Sequence, residues 1–311
     1  MFKTIIFKSL ILMSFMTFNS FSNFAQNKTN DCRPEVDMGS LLNNISVNGG
    51  LFIGKLYATC LPIPVKKSQT TYEYHPYDGG KLSSVLKSAD GQTINTFVWY
   101  GEQITGLWEL SRYEIVGGAN SLKKLNNGKY TLEFALEDKV FQTFPFSVST
   151  AESKDQFNPK TVYLLDGLWQ TYATLYAPKI DRFFQLTVWL RDPKNLGEFK
   201  PDPVQYSVKL IREKDKQILA EGKEKIVLDY NWQSYPVHFR RPNFEQTKDY
   251  SEVKLSEVTA TDGNYIIEFA LNGKSYSSYK LTVKNGRLND FDLPQMQKEK
   301  YKIIIPLNSG S

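Results

Sequence analysis

The sequence predicts an all-β protein made of two tandem antiparallel β-sandwich domains behind an export signal. Three observations carry this. A 21-residue stretch recurs at an offset of 135 residues, its apolar side chains alternate with a period of two, and aromatic residues make up 14% of the chain, 18 of them tyrosines. Ring side chains suit a pleated, half-buried surface, and self-similarity at a fixed offset marks a duplicated unit.

In chain order, residues 1–25 read as a signal peptide. Lys3 and Lys8 give a positive start, the stretch from Leu10 to Phe18 is apolar, and small residues allow cleavage after Ser22 or Ala25. The apolar run is shorter than the roughly 20 residues that a bilayer span needs, so no stable membrane span is expected. Cys32 follows Thr29-Asn30-Asp31, not the apolar and small residues that lipid attachment wants. Without the leader the formal net charge falls from +5 to +3. That is too small to imply a nucleic-acid partner, which usually shows a concentrated basic stripe.

The mature chain then divides into a first domain (26–150), a second (151–285) and a tail (286–311). Cys32 and Cys60 are the only two cysteines. In an exported protein they are expected to form a disulfide, closing a loop of about 29 residues worth roughly 3 kcal/mol; two buried thiols are the alternative. Strands are expected at 50–58, 95–100 and 107–116, then at 162–165, 170–176, 183–191, 204–212 and 225–230. Turn pairs such as Asp90-Gly91, Gly117-Gly118 and Asp202-Pro203 punctuate them. No stretch has a sustained helical period.

The repeat itself joins residues 128–148, GKYTLEFALEDKVFQTFPFSV, to residues 263–283, GNYIIEFALNGKSYSSYKLTV, with eight of the twenty-one positions identical. Tyr130, Leu132, Phe134 and Leu136 alternate with polar or small neighbours, which gives a strand one buried face. Asn272-Gly273 then suits a type I′ hairpin turn, and a second strand returns through Phe144, Phe146 and Val148, or Tyr279, Leu281 and Val283. Upstream, Val85-Leu86-Lys87 aligns with Val208-Lys209-Leu210. The second copy is about a dozen residues longer before its hairpin, and that insertion is placed at 228–258.

These hairpins resemble the end of an immunoglobulin or fibronectin-type sandwich. A tyrosine near the start of the penultimate strand there bonds back to the preceding chain, and Tyr130 and Tyr265 follow Gly128 and Gly263 in that way. Leu132 and Ile267 stand where immunoglobulin domains carry a core cysteine. Asn126 and Thr261 stand four residues before the tyrosines, where an acid is usual. The resemblance implies an architecture and no function.

No motif carries a reaction: the chain has no nucleophile elbow, phosphate loop or zinc helix, and only two histidines, His75 and His238. No cofactor and no metal are expected. Asp192, Asn195, Glu198 and Asp202 lack calcium-loop spacing. Glu109, Glu114, Glu133 and Glu268 are the acids from which a glycosidase pair would be drawn, but strand alternation separates them. The binding candidates are Tyr230, Trp232, Tyr235, His238 and Arg240 of the insertion, flat rings beside hydrogen-bonding groups that suit a sugar or a protein hot spot. The competing reading places Trp232 in the second domain's core. The strand-like tail Tyr301–Pro306 is expected to complete a sheet edge within the chain or in a partner. The sequence therefore points to a non-catalytic protein of the periplasm, cell surface or medium that binds an envelope or extracellular protein. A carbohydrate-binding accessory protein is the first alternative, and a hydrolase with unidentified acids the second.

Overall fold

The structure is a computed structural model, and it describes residues 33–61, 82–104, 107–155, 157–176, 183–197, 201–242, 252–288 and 302–306. The leader, Cys32, His75 and Glu198 lie outside these residues. Chain order gives β1 (Glu35–Val36), α1 (Met38–Asn44), β2 (Ile45–Asn48), β3 (Gly50–Ile53), β4 (Leu56–Thr59), β5 (Leu82–Ser88), β6 (Thr93–Ile104), β7 (Leu107–Ile115), β8 (Gly128–Leu136), β9 (Lys139–Glu152) and β10 (Thr161–Gly167). There follow β11 (Tyr172–Tyr176), β12 (Gln185–Leu190), β13 (Val204–Arg212), β14 (Ile218–Ile226) and β15 (Gln233–His238). The chain ends with α2 (Leu255–Thr259), β16 (Gly263–Leu271), β17 (Lys274–Lys284), β18 (Arg287–Leu288) and β19 (Lys302–Pro306).

The protein is all-β and every strand pairing is antiparallel. The repeated hairpins are β8–β9 and β16–β17, and they match in detail. Leu132 faces Phe144 as Ile267 faces Tyr279, and both ladders carry a bulge at the same place, between Phe134 and Ala135 and between Phe269 and Ala270. Both turns hold two consecutive residues at positive φ: Asn272 and Gly273 (47° and 75°), and Glu137 and Asp138 (49° and 63°). That is the type I′ requirement, met in the first copy without a glycine. Tyr130 Oη donates to the Asn126 carbonyl at 2.8 Å, and Tyr265 Oη to the Thr261 carbonyl at 2.5 Å. The backbone oxygen serves as acceptor, so the missing acids are not needed. Upstream, Leu86 faces Leu132 and Leu210 faces Ile267. The equivalent of Leu86 is therefore Leu210, one residue on from Lys209, which the sequence pattern sets opposite it.

The two halves then diverge. The first forms one eight-stranded sheet in the order β1-β4-β7-β6-β5-β8-β9-β10, with the β2–β3 pair as a separate two-stranded sheet. α1, started by the Asp37 carboxylate accepting from Gly39 and Ser40 N–H, shares its core with the sheet through Met38, Leu41 and Leu42. The sheet curls until β1 meets β9. There the buried Gln142 amide accepts from Val36 N–H at 2.7 Å and donates to Val36 C=O at 3.0 Å, replacing a ladder with one side chain. Position 150, read as the domain boundary, lies inside β9, and β10 extends the first half's sheet. Cys60 is not a free thiol.

The second half has two sheets, β15-β12-β11-β19 and β14-β13-β16-β17-β18, sharing a core that includes Leu186, Val208, Phe239, Ile267 and Phe269. The tail returns as β19 beside β11, with Ile304 opposite Thr174. β14 ends at Ile226, so residues 227–230 are a connection and not the expected strand. The chain there leaves one sheet and enters the other at β15. Gly222 makes the crossing close: an added Cβ would overlap the His238 carbonyl oxygen.

Three core tyrosines of this half have phenols held above their ordinary value. Burial is the main cause at each, and the Glu224 carboxylate, accepting from Tyr206 Oη at 3.0 Å, adds to it at Tyr206. A raised folded value means stability that is full below the unfolded phenol value near 10 and falls as pH climbs through it. Urea melts at pH 8 to 11 should show constant stability at first and a decline above about pH 10, less steep in Tyr206→Phe. Tyr265→Phe should lose about 1 kcal/mol at pH 7, the usual worth of one such hydrogen bond.

Candidate functional site

The segment that carries the second half from β14 to β15 does not fold back onto its own core. Trp232 packs on the first half's core. Its ring lies parallel to that of Trp169, with centroids 6.1 Å apart and planes 6° apart. Its Nε1 donates to the Leu165 carbonyl at 2.7 Å. The Arg191 guanidinium sits over the ring, 4.6 Å from its centroid, and donates to the same carbonyl at 2.9 Å and to Asp166 at 2.5 Å. Trp232 is thus partly buried against the first core, not within the second, where the competing reading put it. Its ring, its N–H and one face are all engaged within the protein.

The connection is held in place by the loop that raised the question of calcium. Asn195, 5% exposed, donates to the Leu228 carbonyl, and Asp192 N–H donates to the Asp229 carbonyl at 2.8 Å. Asp229 in turn accepts from Asn231 N–H at 2.7 Å. These oxygens and amides brace a crossover. No group of three or more His, Cys, Asp or Glu suited to a metal occurs among the described residues, and none of their helices is long and apolar enough to cross a membrane.

Beside the joint lies a cleft of about 400 Å³ whose walls are β2, β10 and the segment Tyr230-Asn231-Trp232. Asn43, Asn48, Asn231 and Thr161 bring neutral polar groups to it, Tyr163 and Tyr230 bring rings, and Lys160 is the only charged side chain among its described lining residues. Asn43 Oδ1 accepts from Trp189 Nε1 at 3.3 Å, while Trp169 Nε1 donates to the Leu42 carbonyl at 2.9 Å. Two tryptophans therefore tie down one end of the cleft.

The five candidate residues do not form one site. Tyr230 and Trp232 line the cleft. Tyr235 packs edge-on against Tyr206, ring centroids 5.9 Å apart, over the second core. His238 pairs with Glu252 at 3.4 Å, and Arg240 exchanges backbone hydrogen bonds with Glu221, both 2.8 Å, stitching β14 to the chain beyond β15. The acids have structural partners too. Glu133 meets Lys87 at 2.7 Å, Glu109 meets Lys55 at 2.6 Å, and Glu268 faces Lys209 across the ladder. Sequence reasoning missed Asn43, Asn48, Lys160 and Tyr163, which belong to the other half and carry no motif.

The chain matches no family model, no curated protein and no solved structure.

Trp232→Ala should cost about 3 kcal/mol, toward the low end for a buried tryptophan because its ring is only partly covered. Trp232→Phe keeps a ring for Arg191 and loses the Leu165 hydrogen bond, about 1 kcal/mol. Denaturant melts of the two variants check both values; equal losses would mean that ring packing contributes nothing.

Proposed function

We propose that this is a non-catalytic exported protein that binds another protein, acting in assembly or presentation at the cell envelope or outside the cell. The observation that carries the reading is the Trp232 joint, which fixes the two repeat-bearing halves as one body with a preformed cleft beside it. Such a body suits spacing and presentation, and preorganisation lowers the ordering cost of binding a partner. In this reading the two halves are variants of one immunoglobulin-like sandwich, the leader is cleaved after Ser22 or Ala25, and Cys32 pairs with Cys60.

A carbohydrate ligand is the second reading. It draws on Tyr230 and Tyr163 lying near the amides of Asn43, Asn48 and Asn231 in the same cleft, since rings and amides suit sugar C–H faces and hydroxyls. Trp232, with its N–H bonded and Arg191 over its ring, offers less of a platform than the bare sequence implied.

A photoreactive amino acid at Asn231, on the cleft rim, should give a covalent protein adduct in the native cell, while one at Lys214 on a remote turn should not. No adduct at Asn231, or turnover of glycans or peptides by the pure protein, would contradict the proposal. The mature protein's intact mass should show a start at residue 23 or 26 and the two-hydrogen deficit of one disulfide.

A further inference from the structure

We infer that the cleft takes an extended peptide strand, bound through its backbone along the edge of β10. This rests on the protein-binding reading and names the form of partner that the cleft would accept.

The direction of each β10 backbone group follows from its neighbours. The Lys160 carbonyl accepts from Ser153 N–H at 2.8 Å, on the β9 side. The Leu165 carbonyl faces the other way and accepts from Trp232 and Arg191. In an antiparallel ladder successive residues alternate sides, so Thr161 and Tyr163 also turn their N–H and C=O away from β9. β10 ends its sheet, and none of these four groups has a protein partner among the described residues.

Several other edges among the described residues are covered, while β15, β18 and β19 also end their sheets. β19 covers β11, Gln142 seals β1 to β9, and the Arg240 bridge closes part of β14. Covering edges is what proteins ordinarily do to prevent unwanted pairing. On β10 the cover stops at Leu165 and leaves Thr161 and Tyr163 open to the cleft.

Geometry limits the occupant. A strand lying between two others needs about 10 Å between its flanks, twice the strand spacing. Cα atoms of β2 and β10 come within 8 Å of each other, and the Leu42 end is tied to Trp169. The peptide is placed at Thr161 and Tyr163, the end away from the Trp169–Leu42 tie; it needs β2 to stand about 10 Å off there and does not run the full length of β10. With Lys160 the one charged side chain among the cleft's described lining residues, a neutral or acidic segment fits better than a basic one.

The test uses the mature protein and a set of capped heptapeptides of alternating valine and polar residues, with a central glutamate, glutamine or lysine. Each has a counterpart N-methylated on alternate amides. We expect saturable binding of the glutamate peptide, slowed amide exchange at Thr161 and Tyr163, and at least tenfold weaker binding for the N-methylated and lysine peptides. Thr161→Pro removes one outward N–H at the first position of an edge strand, where proline is tolerated, and should weaken binding tenfold with an unchanged melt. No binding across the set, equal binding of the N-methylated peptides, or a soluble oligosaccharide protecting the same amides would overturn the inference. If the Asn231 adduct forms in cells while the peptides fail, the protein-binding reading stands without this inference. If both fail, that reading falls too.

Discussion

The structure turns on one carbonyl. Leu165 lies in the last strand of the first sheet, and its oxygen accepts from both Trp232 and Arg191, which reach it from the second half. A buried carbonyl must be satisfied, and here the donors are an indole and a guanidinium that also stack on each other. Removing either leaves the other to compensate in a partly dry joint. The contact therefore contributes more than a surface ion pair, whose median worth is about 0–1 kcal/mol. It also closes β10's edge at Leu165.

The two halves show how one hairpin serves two architectures. The bulge, the positive-φ turn and the tyrosine bonded four residues back recur at an offset of 135. In the first half the middle strands stay in one sheet, which then curls until Gln142 closes it. In the second half the chain changes sheets between Ile226 and Gln233. That crossover places Trp232 outside its own core and makes the joint.

What could be read from the sequence follows from how local the cause is. Period-two alternation and turn residues act within a few positions, so the strands around Tyr130 and Tyr265 and the tail's return to a sheet edge were legible. The one-residue misalignment of Leu86 was not, because only the ladder sets register. α1 escaped notice because two turns give too little periodicity, although Asp37 before Met38 is an N-cap signal. Trp232 was legible as important and not as a side chain packed against the first core, since its partners Leu165 and Trp169 are 67 and 63 positions away. The cleft's other wall, from Asn43 to Asn48, lay beyond any local pattern.

The central claim is that this joint makes two cores behave as one body. Scanning calorimetry of the mature wild-type protein tests it most directly, by comparing the calorimetric enthalpy with the van't Hoff value from the same trace. The account predicts one transition with the two enthalpies equal. Two resolved transitions, or a calorimetric enthalpy about twice the van't Hoff value, would show that the halves unfold independently and would contradict it.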